Sequence, residues 1–212
     1  PDDPDLIQLR DIVVALQNTN SYTTTPVGLE AWAQFISHYL PDIAINVDAR
    51  ATLSNASMYE DSLRIHLKGY HVSVFPTVVE KIRTVHDDVG SIIITISPRL
   101  RSHVDSTFRD PLGLGVVAGV LLKTPAMNIL VLGVYWMTKP TAADAEDRNS
   151  LWMRVKRRLQ QAKINSSPLQ YVKSCSEELL ITARMNNWRV IYAGDLNSGY
   201  KKDEGQHRDC EP

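Results

Sequence analysis

The sequence has little cysteine, no long apolar run and almost no net charge. Cys175 and Cys210 are the two cysteines in 212 residues, and neither belongs to a CxxC pair. That excludes a disulfide-framework mini-protein and a four-cysteine zinc site. Two unpaired thiols in a reducing compartment are expected, because disulfides follow compartment. The longest apolar stretch, Ile129 to Met137, is about half of the roughly 18 residues that a membrane-spanning helix needs. Pro1 to Asp5 is acidic and proline-rich, without the basic and then apolar order of a signal peptide. A location inside the cell, the nucleus included, is therefore expected. Lys plus Arg total 23 and Asp plus Glu 24, a net charge of −1. A cationic coat for general nucleic-acid binding is excluded, and any such contact falls to local patches.

What is present suits an ordered globular domain. Hydrophobic residues make up 43% and charged residues 22%, close to average usage, so wholesale disorder is excluded. Short β-branched runs alternate with helical stretches, the mark of an α/β layer architecture. Asp11 to Leu16, Ile43 to Val47, Tyr70 to Phe75, Ile92 to Ile96 and Arg189 to Ala193 read as strands. Val116 to Lys123 and Asn128 to Trp136 are joined by Thr124-Pro125-Ala126, too short for a parallel crossover, so an antiparallel pair is expected. Thr25-Pro26 and Ser167-Pro168 read as helix caps, each followed by proline at the first helical position. Helices are expected over 26–40, 60–68, 144–163 and from 168.

Polar residues gather where these strands end. Asn18 follows the first, Asp48 the second, Tyr135 closes the hairpin, and Asp195 and Asn197 follow the last. Loops at strand ends are where α/β proteins place reactive groups. Two carboxylates, two amides and a phenol offer no nucleophilic Cys or Ser and no His trio. They suit hard oxygen-ligand chemistry, with a magnesium-type cation and a phosphate held by neutral donors. Plainer roles stay open for each: a turn residue for Asn18, a cap for Asp48, a core aromatic for Tyr135, and a simple turn for 194–197.

Five segments, in order from about residue 11 to 200, resemble the endonuclease/exonuclease/phosphatase superfamily. "RVIYAGDLNSGY" is similar to the family's strand running into Gly-Asp-(Phe/Leu)-Asn, and "NILVLGVYWMTKP" to the strand that ends in Tyr with Pro soon after. "DDVGSIIITIS", "LEAWAQFISHYLPDIAINVDAR" and "IVVALQNTNS" resemble three further family strands and a helix. The resemblance implies an α/β fold, a four-layer α/β/β/α sandwich of the DNase I-like type. It implies Mg²⁺- or Mn²⁺-dependent hydrolysis of DNA or another phosphodiester, with a lean toward a retrotransposon-type DNA endonuclease. Carried over residue by residue, Asp195 activates the attacking water, Asn197 orients that water or the phosphate, and Tyr135 hydrogen-bonds the phosphate. Asn18 and Asp48 lie at the metal end. Asp48 stands where the family has Glu, one methylene longer. His207-Arg208-Asp209 has the wrong order for the family's late Asp-His pair. The expectation is therefore a domain over 11–200 without its last strands, a tail over 1–10 and a polar tail over 201–212.

Other patterns carry less. Gly113 to Gly119 imitates a dinucleotide fingerprint but follows no strand and opens no helix, so a turn into a strand is expected. The basic run Arg154 to Arg158 reads as a solvated helix face, and Arg99, Arg101 and His103 as a solvated loop. Two further readings stay open beside the nuclease: a non-catalytic remnant, and an interaction module if Trp136 and Met137 form an exposed apolar patch.

Overall fold

A computed structural model describes residues 12–18, 25–78, 90–137 and 151–195. In chain order the elements are β1 (Val14–Asn18), α1 (Pro26–Tyr39), β2 (Ile43–Val47), α2 (Ala56–His66), β3 (His71–Phe75) and β4 (Ile92–Ile96). Then come α3 (Pro98–Arg101), β5 (Val104–Arg109), β6 (Val117–Lys123), β7 (Asn128–Tyr135), α4 (Leu151–Gln161), α5 (Pro168–Met185) and β8 (Arg189–Asp195). The strands form two sheets, ordered β1-β2-β4-β3 and β5-β6-β7-β8. Asn197 and both tails lie outside the described residues.

The strand alternation builds the layers. In β2, Ile43, Ile45 and Val47 point toward the other sheet and pack with Ile94 and Val131, while Ala44 turns to the helices. Every residue of β2 and β4 is buried, which is why both read as unbroken apolar runs. The outer face of the first sheet packs on α1 and α2 through Leu29, Trp32, Ile36 and Leu63. The outer face of the second packs on α4 and α5 through Val155, Leu159 and Val172. Helix, sheet, sheet, helix is the expected four-layer order. Each fully buried aliphatic side chain in it contributes about 1.5–3 kcal/mol.

Both expected caps form: the Thr25 and Ser167 hydroxyls accept from the Gly28 and Gln170 amides. β6 and β7 pair antiparallel, as their short link requires. The parallel pairs are β1 with β2, linked through α1, and β7 with β8, linked through α4 and α5. Parallel pairing makes the members of each pair end together. Asn18 lies level with Val47, and Tyr135 level with Asp195.

Several expectations shift. β1 starts at Val14, not Asp11, and runs on through the polar Gln17 and Asn18, because its ladder to β2 holds them. β5 and α3 occupy a stretch read as loop. Arg99 is solvent-exposed, as expected, but it lies in α3 and not in a loop, and its guanidinium grips both oxygens of Asp42 at 2.5 and 2.7 Å. Arg154 faces inward at 4% exposure. Met137, 3% exposed, belongs to the core, so it supplies no exposed patch. The glycine segment is a turn, as expected. Asp110 captures its amides, with Leu114 N and Gly115 N donating at 2.8 and 2.9 Å. Gly113 and Gly115 take φ of 65° and 68°, the left-handed region that favours glycine.

Candidate active site

β1, β2, β7 and β8 end at one mouth of the sandwich, and their last residues meet there. β8 continues through Gly194 to Asp195, two residues beyond its apolar run. Gly194 is required at that place: a Cβ would collide with the carbonyl oxygen of Val134 on the neighbouring strand. The close approach lets β8 stay paired to its tip and fixes Asp195 on the ladder. The Asp195 carbonyl is held as well, accepting from Trp136 N at 2.8 Å.

Side chains level with one another on adjacent parallel strands share a face. Asp195 and Tyr135 are such a pair. Tyr135, Ile191 and Ala193 all pack on the core between the sheets, so this face looks across to the other sheet. From that sheet Asn18 reaches over, its Nδ2 donating to Asp195 Oδ2 at 2.5 Å. The bond ties the tip of β1 to the tip of β8.

Asp48 comes one residue after β2 and is 2% exposed. Its φ is 55°, uncommon for a residue with a Cβ. The turn is held by a zipper to the start of β4: Ala49 N to Ser91 O at 3.3 Å, Arg50 N to Gly90 O at 2.8 Å, and Ala51 N to Ser91 Oγ at 2.8 Å. The Asp48 carboxylate accepts from Gly90 N at 3.1 Å and lies 3.7 Å from Arg50 Nε. Burial pushes its pKa above the ordinary carboxylate value, and the charge of Asp195 adds to the rise. The Gly90 amide and the Arg50 guanidinium pull the other way without cancelling it.

Four of the five expected residues thus gather at one mouth: Asn18, Asp48, Tyr135 and Asp195. Asn197 is outside the described residues. Arg50, which was not singled out in the sequence, joins them. Its signal was there, because the family-like segment around Asp48 ends in Arg. A magnesium-type cation takes oxygen ligands, commonly one or two carboxylates with water and substrate phosphate completing the shell. Asp48, Asp195 and the Asn18 amide are a donor set that fits. A cation there would offset the burial that chiefly raises Asp48 and the smaller repulsion from Asp195. Among the described residues no group of three or more His, Cys, Asp and Glu gathers to hold a metal, so two carboxylates are the acidic share of this set. Also among the described residues, no helix is long and apolar enough to cross a membrane.

No family model matches the sequence, and no curated protein matches it. Solved structures do. The AP endonuclease LMAP from Leishmania major is 13% identical, with a TM-score of 0.54, over 87% of this chain and 54% of that one. TDP2 from Caenorhabditis elegans is 13% identical at a TM-score of 0.49, over 88% of this chain and 47% of that one. The human Nocturnin catalytic domain with bound sulfate is also 13% identical at 0.49, over 88% and 64%. The chain spans about half the length of the first two.

Proposed function

We propose, from the premise that this chain has the DNase I-like fold of the endonuclease/exonuclease/phosphatase superfamily, that it hydrolyses phosphodiester bonds with a water activated at Asp195. The observation that carries the reading is the Asn18–Asp195 bond between the sheet tips. It ties the Asp195 carboxylate to the tip of the facing sheet, which supports its use as the base at the mouth.

In this reading Asp195 takes a proton from water, and the resulting hydroxide attacks phosphorus in line. The bond to the leaving oxygen breaks, and that oxygen takes up a proton from solvent. Tyr135 donates to a phosphate oxygen, and Asn197 orients the water. Asp48 and Asn18, with Asp195, would hold a magnesium or manganese ion. When bound, such an ion neutralises phosphate charge and lowers the pKa of water. DNA is the proposed substrate, in the manner of a retrotransposon-type endonuclease. The AP endonuclease likeness supports the choice at the level of fold.

A second reading, a non-catalytic phosphate-binding module, draws on Asp48. Its carboxylate is already engaged by the Gly90 amide and faced by Arg50. Plasmid nicking titrated with Mg²⁺ or Mn²⁺, on the wild-type chain and on Asp195→Ala, separates the two. Metal-dependent nicking that vanishes in the variant supports hydrolysis. Nicking that survives the substitution overturns the role of Asp195, and no nicking by folded wild type favours the binding module.

A further inference from the structure

Arg50 stands two residues past Asp48, with its side chain 14% exposed. A guanidinium carries five N–H donors and no acceptor. Among the described residues, the polar contact of this one is Nε to Asp48 Oδ1 at 3.7 Å, beyond hydrogen-bond length. Among the described residues, Nε is buried without a hydrogen-bond partner. Buried donors are nearly always satisfied, and each exception asks for a reason.

The backbone offers one. Arg50 takes a φ of 55°, a conformation a long side chain does not choose for itself. Its own amide on Gly90 and the amide of Ala51 on Ser91 Oγ hold it there. The fold therefore keeps a cation at the end of β2 even though the cation gains few bonds of its own. Asp48 faces Nε and so orients the planar fork, leaving the two Nη groups for something else. Such a fork matches paired phosphate oxygens, with two parallel N–H···O bonds. A permanent positive charge here also counters the two carboxylates, which would otherwise repel an anion from the mouth.

We propose that Arg50 is a further phosphate-binding residue of this site, holding two non-bridging oxygens of the substrate phosphodiester through its Nη groups, with Asp48 as the residue that positions it. The substrate class rests on the hydrolysis reading, but the binding requires no divalent metal. Inorganic phosphate titrated into ¹⁵N-labelled protein in EDTA tests it, followed at the Arg50 Nε–H signal, which is assigned by its loss in Arg50→Gln and in Arg50→Lys. A saturable shift is expected, with phosphate affinity at least tenfold weaker in Arg50→Gln and partly recovered in Arg50→Lys. Thermal melts establish that the variants fold; if Arg50→Gln does not, the wild-type signal decides. The titration in EDTA needs neither metal nor turnover, so a failure of the hydrolysis reading leaves this result readable. An unmoved Nε–H signal, or equal affinity in wild type and folded Arg50→Gln, overturns the proposal.

Discussion

Asn18 and Asp195 lie 177 positions apart in the chain, yet the amide of one donates to the carboxylate of the other at 2.5 Å. The bond crosses from one sheet to the other and fixes which way the carboxylate faces. Asn18→Ala removes the bridge while leaving both strands in their ladders. Hydrolysis should fall by about ten- to a hundredfold, as misplacement of a reacting group does. The bond is exposed, so stability should change by no more than about 1 kcal/mol. Steady-state cleavage rates and urea melts of the same preparation measure the two effects.

Asp48 and Asp42 should give opposite pH signatures. The raised pKa of Asp48 means that the folded state binds its proton more tightly than the unfolded chain does. Its contribution to stability is therefore most favourable in acid and is lost as pH climbs from near 4 through the raised value. In Asp48→Asn that loss is gone. The stability of the variant relative to wild type should rise between pH 4 and 7, measured by urea melts across the range. A difference that shrinks with pH would contradict the assignment.

At the far end of the first sheet, burial alone would raise Asp42, but its bonds to Arg99, Val13 N and Ser97 outweigh that and lower it. Its stabilisation is complete above the ordinary carboxylate value and is lost as pH falls through the lowered one. Asp42→Ala removes the carboxylate that accepts from Val13 N and from the Arg99 guanidinium. It should cost about 2 kcal/mol at pH 7 and less in acid. Cleavage per folded molecule should not change, because Asp42 sits at the start of β2, away from the mouth.

β1 and β8 are the outer strands of their sheets on the same side of the sandwich. Val14, Leu16, Val190 and Tyr192 are 36–44% exposed along them. Open apolar strand edges pair with other chains, and charge blunts them. Val190→Lys should reduce concentration-dependent self-association without loss of stability. Light scattering over a dilution series measures it, and unchanged association would remove these edges as the cause.

Two strands buried on both faces were legible to the residue. β2 and β4 appear at their expected bounds because Ile43 to Val47 and Ile92 to Ile96 have no polar face to confuse the pattern. β5 escaped because Val-Asp-Ser-Thr-Phe-Arg leaves Asp105, Thr107 and Arg109 exposed, and only its pairing with β6 makes it a strand. The same effect hid the tips of β1 and β8, where Asn18 and Asp195 look like loop residues until their ladders are seen. Which polar residues matter was legible at strand ends. What each one touches was not. Arg50 beside Asp48 and Arg99 on Asp42 depend on turns and long-range contacts that no local pattern encodes.

Hydrolysis of bis(4-nitrophenyl) phosphate in the presence of Mn²⁺, by wild type and by Asp195→Asn, tests the central claim most directly. The substrate asks only for phosphodiester chemistry, and the substitution removes the base while keeping the shape. Wild type should release nitrophenolate above the buffer rate, and the variant should lose about a hundredfold or more. Equal rates for the two folded proteins, or a wild-type rate no higher than buffer, would contradict it.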